Sequence, residues 1–347
     1  MINLEVPKKF EQLVDQAHQA AAEFLRPNSR KYDEAEHTYP KELDMLAALL
    51  DGLSAAGGGA SAGGVRRGGS SSDKSKQGNR NGSNLQLLLG TIEMCWGDVG
   101  LLLSMPRQGL GNAAIASVAN DEQLKRYQGK WAAMAITEPD TGSDSGAIRT
   151  TAVKDGDHYV LNGEKIFVTA GERADCVVVW ATLDRSLGKA AIKSFVVDRG
   201  TPGFELVRLE HKLGIRASDT AHFRLDNVRV HKDNLLGSPE INTEQGFAGV
   251  MQTFDNTRPL VAAMAVGVAR AALEETRGCW RKRASRSTTT ARPARSTRRR
   301  RSSSSLRPTG KPRTCWRSRR RGWPTTASPT RCRRRWPRRR RAGRART

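Results

Sequence analysis

Seven short runs of strand-forming residues between residues 131 and 237 constrain the fold more than any other feature of the chain. Turn residues such as Asp155-Gly-Asp157 and Pro202-Gly203 separate them, a pattern typical of an antiparallel barrel or sandwich. Asn162-Gly163, between two of the runs, predicts a tight hairpin turn. Val177-Val-Val-Trp180 has no polar face, so we expect it to be buried on both sides of the sheet. The runs cover residues 131–136, 148–153, 159–161, 166–169, 176–181, 192–197 and 223–228.

Helical patterns lie on both sides of these strands. Apolar residues recur at spacings of three and four over residues 8–50, 85–130 and 244–277, which is the period of an amphipathic helix. The order helix, strand, helix predicts an α+β chain of three parts. We expect an N-terminal helical domain over residues 1–130, a middle β domain over 131–240 and the start of a C-terminal helical domain over 241–277.

Residues 54–83 interrupt the first helical domain. Their Gly and Ser clusters cannot bury a core and predict a flexible loop. The segment is either a linker or a local artefact of the sequence.

The positive charge of the chain is concentrated in its last part. Residues 278–347 contain 25 Arg, 2 Lys and no Asp or Glu, so their net charge is +27. The net charge of the whole chain is +24, so residues 1–277 have a net charge of −3. We expect a disordered, Arg-rich tail over 278–347. One hypothesis is that the protein is not an enzyme and binds nucleic acid through this tail. Such binding would be strongly salt-dependent, and its arginine runs are 298–301, 333–335 and 338–341.

Cysteine usage and hydropathy exclude several classes of protein. Cys95 and Cys176 are the only cysteines before the tail, and no spacing of metal-binding type is present. The N-terminus lacks the apolar core of a signal peptide, and no run of about 18 apolar residues is found. The sequence therefore predicts a cytoplasmic protein that does not enter a membrane.

The segment from Met134 to Ser145 has the composition of a ligand-binding turn. An apolar run ends at Pro139, and Asp140, Thr141, Gly142 and Ser143 follow. A Gly between hydroxyl residues offers backbone N–H groups and hydroxyl donors to an anion without steric obstruction. Turns of this kind also simply join strands.

Five ordered blocks carry a resemblance to a known family. In their order and spacing they resemble the flavin-dependent acyl-CoA dehydrogenases, most specifically over residues 85–277 and more loosely over 1–50. The tail after Arg277 does not match. The blocks are Ile136-Thr-Glu-Pro with Gly142-Ser-Asp144, Asn162-Gly-Glu-Lys165 with Thr169, Gly214-Ile-Arg-Ala-Ser-Asp-Thr220, Asn234-Leu-Leu-Gly237 and Asp255-Asn-Thr-Arg258.

The resemblance implies a function and a cofactor. The reaction is the FAD-dependent oxidation of an acyl-CoA thioester to its 2,3-enoyl form, of the fatty-acid β-oxidation type. Electrons then pass to an electron-transfer flavoprotein or a similar acceptor, and the intact family commonly forms homotetramers. The protein supplies position and electrostatics, while the flavin supplies the redox chemistry.

The resemblance also assigns roles to individual residues. Thr137 hydrogen-bonds the pyrimidine side of the flavin ring, and Thr169 lies near the hydride-accepting nitrogen. Without the resemblance, Phe167 reads as a core residue of a strand and Arg258 as a surface residue of a capped helix. The cofactor-binding set is Met134, Ile136, Thr137, Gly142, Ser143, Phe167, Val168 and Thr169, and the substrate-binding set is Ser143, Asp255, Thr257 and Arg258.

Two positions depart from the family pattern. Asp140 places a negative charge near the flavin pyrophosphate, which is unfavourable unless the side chain points away. Many family members carry Trp where Phe167 stands; Phe keeps the apolar wall and loses the indole N–H.

The catalytic base of the family is missing. It is a glutamate late in the C-terminal domain or, in a minority, at or next to the place of Thr257, and no acidic residue follows Glu275 here. We therefore expect the chain as written to be inactive. The tail resembles a GC-rich gene read in the wrong frame, since a shifted reading of Cys279–Arg286 can continue the helix before it. This predicts a frameshift near Arg277.

Overall fold

The computed structural model describes residues 6–55, 83–106, 110–241 and 248–289. The chain divides into two units, residues 1–284 and 285–347, of which the second is described only by the helical residues 285–289. Most of the predicted flexible loop at 54–83 lies outside the described residues. So do residues 290–347 of the predicted disordered tail, together with the nucleic-acid binding assigned to them.

The N-terminal region is helical, as predicted. At the edges of the predicted loop, residues 54, 55 and 83 belong to helices. Asp98 caps α5 by accepting a hydrogen bond from the Leu101 N–H, and Asn120 and Gln123 form a reciprocal capping box on α7. The helices are α1 (Glu11–Ala20, continued by a π-helical turn over Ala21–Leu25), α2 (Ser29–Glu34), α3 (Glu42–Ala55), α4 (Ser83–Gly97), α5 (Val99–Leu103), α6 (Leu110–Val118) and α7 (Asp121–Arg126).

A single seven-stranded sheet forms the middle of the described chain, in the order β1-β4-β2-β3-β7-β6, with β5 paired to β4. Four of the pairings are antiparallel, as expected, but β1 and β2 pair with β4 in parallel. The parallel β1–β4 pair is formed because the β2–β3 hairpin serves as the crossover between them. The strands are β1 (Ala132–Ala135), β2 (Thr151–Asp155), β3 (His158–Thr169), β4 (Cys176–Thr182), β5 (Ile192–Asp198), β6 (Phe204–Leu209) and β7 (Thr220–His231).

Strand β4 lies between two hydrophobic cores. Every residue of β4 is buried, which confirms the prediction for 177–180. Val177 and Val179 face the core inside the curled sheet, whereas Val178 and Trp180 face the core under α6. This alternation follows from the period of two along a strand and makes β4 the wall shared by both cores.

The prediction of a hairpin at Asn162-Gly163 is wrong. These residues lie inside the continuous strand β3, at a bulge opposite β7. Asn162 receives a hydrogen bond on its side-chain oxygen from the Asn227 N–H (2.8 Å), and Gly163 adopts a φ of 154°, with a Cβ position 2.5 Å from the Thr150 hydroxyl. The Asn-Gly pair therefore lies at a bulge of β3, where the absence of a side chain on Gly163 leaves room for Thr150, just before β2. The hairpin turn is at Gly156, where φ is 59°.

The C-terminal helix begins inside the predicted helical range of 244–277 and extends past its C-terminal end. Helix α8 runs over Ala248–Thr289, so Pro259 lies well inside it rather than in its first turn, and Arg277 is not its end. The sequence Asp255–Arg258 followed by Pro259 is typical of a capped helix start with Pro in the first turn, and this prediction is wrong. In the described chain no helix, α8 included, is long and apolar enough to cross a membrane.

Glu36, just after α2, ties the helical region to the loop between β6 and β7. Its carboxylate accepts hydrogen bonds from Arg216 (3.0 Å), the Lys212 N–H (2.9 Å) and His211 (2.9 Å). The Arg216 guanidinium, helped by the two other donors, lowers the pKa of Glu36 to about 2.

We expect the Glu36→Gln variant to lose stability at neutral pH and to show a smaller loss in acid. The folded pKa lies below the ordinary value of 4.5, so the stabilisation is present above about pH 4.5 and disappears as the pH falls toward 2. The urea midpoints of the wild type and the variant are measured between pH 7 and pH 3, and the gap is the difference between the two midpoints at each pH. Glu34→Gln, which removes an exposed ion pair with Arg30, is the control and should show a small gap. A Glu36→Gln gap that stays constant over this range contradicts the assignment.

Candidate active site

A cavity of about 1550 Å³ lies between helices α6 and α8 and the strands β1 and β3. Its helical walls are apolar, with Ala113 and Ala116 on one side and Val261 and Met264 on the other. Small-molecule sites usually enclose about 300–1,000 Å³, so this cavity has room for two ligands side by side.

The segment that follows β1 forms the cavity floor and is folded around Glu138. Glu138 and Thr141 exchange two backbone hydrogen bonds of 2.9 and 3.2 Å, which close the turn. The Glu138 carboxylate accepts further bonds from the N–H groups of Arg149 (2.6 Å) and Thr150 (2.9 Å) and from the Thr150 hydroxyl (2.6 Å). A buried carboxylate with this many donors fixes the turn in one conformation.

Lys165 on β3 completes this arrangement. Its ammonium donates to Glu138 at 2.7 Å and to the Ile136 carbonyl at 3.1 Å, and the two side chains are 0% and 5% exposed. Burial lowers the pKa of Lys165 to about 8. Burial alone would raise the pKa of Glu138, but the Lys165 charge and the hydrogen bonds together hold it below its ordinary value. The two side chains form a buried ion pair.

A bulge in β3 turns Phe167 into the cavity. The register of β3 and β7 shifts between Lys165 and Val168, and Phe167 adopts a φ of 58°. Phe167 is 59% exposed, lines the cavity and is not part of the sheet core. An exposed aromatic face on a rigid strand is suited to stacking on a planar ligand.

Three hydroxyl side chains line the same cavity: Thr137, Ser143 and Thr169. In the part of the chain that the structure describes, none of the three hydroxyls has a hydrogen-bond partner. A Cβ built on Gly142 meets no atom within 4 Å, so a ligand can approach the backbone there. These groups suit a planar, hydrogen-bonding cofactor with an anionic arm, and the residues present fit a flavin.

The side chain of Asp140 points away from the cavity. It forms an exposed ion pair with Arg149 at 2.7 Å and is absent from the cavity lining. The unfavourable charge expected from the sequence is therefore directed to solvent, and its effect on a bound anion is screened.

Most of the predicted site residues converge on this cavity. Val168 does not, because its side chain is 1% exposed and packs in the sheet core. The side chain of Asp255 lies outside the described part of α8. The predicted residues that line the cavity are Met134, Ile136, Thr137, Gly142, Ser143, Phe167, Thr169, Thr257 and Arg258.

Several lining residues were not predicted. Lys189 lies over Gly146, whose Cβ position is 2.2 Å from the Lys189 Cε, and both line the cavity. Asn112 on α6 and Ile215 in the β6–β7 loop line it as well. Nothing in the sequence around Lys189 indicates that it lines a cavity. Ile215, by contrast, belongs to the motif block Gly214–Thr220, so the sequence did point to its neighbourhood.

The fold is an α+β scaffold in which helices pack against a curled sheet and enclose the cavity with it. Residues 133–228 match the acyl-CoA dehydrogenase middle domain, and residues 244–297 match the acyl-CoA dehydrogenase C-terminal domain. The second match continues beyond Arg277, so the prediction that the tail after Arg277 does not match the family is wrong up to residue 297.

Individual proteins give the same result. A short-chain-specific acyl-CoA dehydrogenase of Clostridium acetobutylicum is 36% identical over 214 residues, which are 59% of this chain and 55% of that protein. A structure described as an acyl-CoA dehydrogenase of Mycobacterium smegmatis is similar at 30% identity and a TM-score of 0.62, covering 78% of this chain and 68% of that one. A glutaryl-CoA dehydrogenase of the same organism, in complex with FADH2, has 27% identity and a TM-score of 0.62, with 79% and 65% covered.

The chain belongs to the acyl-CoA dehydrogenase family, which confirms the resemblance seen in the sequence. It spans about half the length of the curated relatives it matches.

Proposed function

We propose that the cavity holds FAD and an acyl-CoA thioester. The observation that carries the proposal is the convergence of the separate sequence blocks on one cavity, with Phe167 from β3, Thr137 from the turn after β1 and Thr257 from α8. Bound FAD supplies the hydride acceptor, which no side chain can provide. Phe167 would stack on the ring, and Thr137 and Thr169 would hydrogen-bond its polar edge.

The substrate would occupy the apolar part between the helices. Ala113 and Ala116 leave space beside α6 for an acyl chain, and Val261 and Met264 close the other side. Ser143 and Arg258 would contact the CoA portion, since they line the cavity and offer a hydroxyl and a positive charge to phosphate and amide groups.

We further propose that the chain as written cannot remove the α-proton of the substrate. The only carboxylate among the described lining residues is Asp144, which directly follows Ser143. Thr257, which is 7% exposed and lines the cavity, has no basic group. We retain cytoplasmic localisation, an electron-transfer flavoprotein as acceptor and homo-oligomerisation as predictions.

The Thr257→Glu variant tests this proposal because it places a carboxylate where the family permits a base. With FAD and a saturated acyl-CoA in D2O, we expect this variant to exchange the α-proton and reduce the flavin at least about 100-fold faster than Thr257→Gln. Thr257→Gln matches the added volume without adding a base. Mass spectrometry of the thioester and the visible flavin absorbance give the two rates.

Two results would count against the proposal. Equal rates in the Glu and Gln variants, with FAD bound in both, would show that Thr257 does not face the substrate carbons. A wild-type chain that reduces flavin at the rate of the Glu variant would show that the base is present elsewhere.

A further inference from the structure

Three metal-binding side chains meet where the helical region contacts the β6–β7 loop, outside the proposed active site. Glu36, His37 and His211 each place one ligand atom within 4.8 Å of the others. The Glu36 Oε2 and His211 Nδ1 atoms are 2.9 Å apart, and the two imidazole rings meet edge to face with centroids 5.1 Å apart. The cluster joins residues from two distant parts of the chain.

His37 is held in an unusual state. It adopts a φ of 67°, a conformation that favours Gly and Asn. Both of its ring nitrogens are buried and have no hydrogen-bond partner among the described residues. A neutral imidazole has one donor and one acceptor to satisfy, and a buried nitrogen without a partner is destabilising. A ligand that binds one of these nitrogens would remove part of that cost.

Glu36 is oriented as a ligating carboxylate usually is. The Lys212 N–H donates to its Oε1 at 2.9 Å, and Arg216 donates to its Oε2 at 3.0 Å. Hydrogen bonds of this kind fix the direction of a carboxylate that binds a metal. The Arg216 charge opposes a cation, and Asp33, which accepts from the Arg216 N–H at 3.3 Å, offsets part of it.

We propose that Glu36, His37 and His211 bind a divalent cation of the zinc class. Two imidazole nitrogens and one carboxylate oxygen form a ligand set that Zn²⁺ takes in three-residue sites, with water as the fourth ligand. Ca²⁺ and Mg²⁺ are excluded as preferred ions because they require oxygen ligands. The ion would take the place of the direct contact between His211 Nδ1 and Glu36 Oε2.

Such an ion would restrain the β6–β7 loop, which forms part of the cavity lining. His211 and Ile215 belong to the same β6–β7 loop, and Ile215 lines the cavity. The site would therefore link the helical region to a cavity-lining loop. The inference does not rest on the proposed function, since it concerns side chains that do not line the cavity.

Titration of the full chain with ZnCl2 by isothermal calorimetry tests the site, after alkylation of the cysteines to exclude thiol binding. We expect one equivalent to bind to the wild type and the affinity to fall at least about tenfold in His37→Asn and in His211→Gln. Asn tolerates the backbone conformation of His37, and Gln keeps a donor for Glu36. The control is the double variant His158→Ala/His231→Ala, which removes another pair of neighbouring imidazoles, 5.4 Å apart, and should bind as the wild type does.

Absorption of the Co²⁺-loaded protein gives a second readout that a purely structural effect would not produce. Visible d–d bands should appear with the wild type and the control and be absent from both cluster variants, whose circular dichroism confirms that they are folded. Absence of stoichiometric Zn²⁺ binding to the wild type overturns the proposal. Unchanged binding to the folded His37→Asn and His211→Gln variants overturns it as well.

Discussion

The Lys165→Met variant is expected to lose about 3–5 kcal/mol of its free energy of unfolding, because Glu138 is left as a buried charge without its partner. Lys165 is 0% exposed, and its ammonium is the only formal positive charge bonded to the Glu138 carboxylate in the described structure. The four hydrogen bonds from Arg149, Thr150 and Thr141 cannot replace it. The free energy of unfolding is measured by urea denaturation at pH 7.

Two variants control this experiment. The double variant Glu138→Gln/Lys165→Met should be less destabilised than the sum of its single variants, because neither charge remains unpaired. Arg229→Met removes a pair with Asp155 whose side chains are 55% and 57% exposed, and it should cost about 1 kcal/mol or less. If Lys165→Met costs no more than Arg229→Met, the pair does not fix the turn after β1.

The Gly111→Ala variant should be strongly destabilised and should also bind flavin more weakly. Gly111 on α6 packs directly on β1, and a Cβ there would lie 2.3 Å from the Ala133 carbonyl oxygen and 2.4 Å from that of Ala132. Both clashes are with backbone, so α6 must move away from β1. Overpacking of this kind costs about 1–3 kcal/mol, and occasionally more. Because α6 and β1 both line the cavity, the movement also displaces two of its walls.

Gly214→Ala is the matched control for this variant. Its Cβ position has no atom within 4 Å, so we expect a change in unfolding free energy within about 0.5 kcal/mol and unchanged flavin binding. Thermal unfolding and the dissociation constant for FAD, measured for both variants, separate a general glycine effect from the contact with β1. A Gly111→Ala protein as stable as Gly214→Ala would mean that α6 does not approach β1 this closely.

Much of the fold could be predicted from local patterns. Val177–Trp180 is apolar at every position, and only a strand covered on both faces satisfies such a run. The helical segments before residue 130 were predictable from their spacing. Strand β6 was missed because Glu205 and Arg208 interrupt its apolar residues, and it lies at the exposed edge of the sheet.

Other features depend on distant parts of the chain and could not be predicted locally. Asn162-Gly163 has the sequence of a hairpin turn, but its Asn pairs with Asn227 and its Gly admits Thr150, so tertiary contacts decide the outcome. The parallel pairing of β1 with β4 follows from the topology of the whole sheet. The Lys165–Glu138 pair was present in two motif blocks, yet nothing local showed that the blocks touch.

The candidate site residues could be predicted from the five motifs taken together in their order, but not from any single motif. Taken alone, the turn at Gly142-Ser143 is also typical of a turn that only connects two strands. Thr257, taken alone, is also typical of a residue on the surface of a helix. Val168 was assigned to the cofactor by the family resemblance, together with Phe167 and Thr169, but alternation along the strand turns its side chain into the core.

The end of the family resemblance bears on the frameshift prediction. The match to the C-terminal domain reaches residue 297, and α8 continues to Thr289, so both pass Arg277. The frameshift stays a prediction. Sequencing of the coding DNA across codons 270–300 decides it, and a shifted frame that encodes a glutamate later in a helical segment would support it.

Titration of the full chain with FAD tests the central claim most directly, because it asks whether the cavity is a flavin site before any catalysis is required. The wild type should bind FAD with quenching of the flavin fluorescence. The double variant Thr137→Val/Thr169→Val should bind about tenfold more weakly, since it removes two hydrogen-bonding hydroxyls and keeps their volume. Thr276→Val changes an exposed side chain of α8 that does not line the cavity, and this variant should bind as the wild type does. A folded wild type that does not bind FAD, or equal affinities in all three proteins, would contradict the assignment of this cavity.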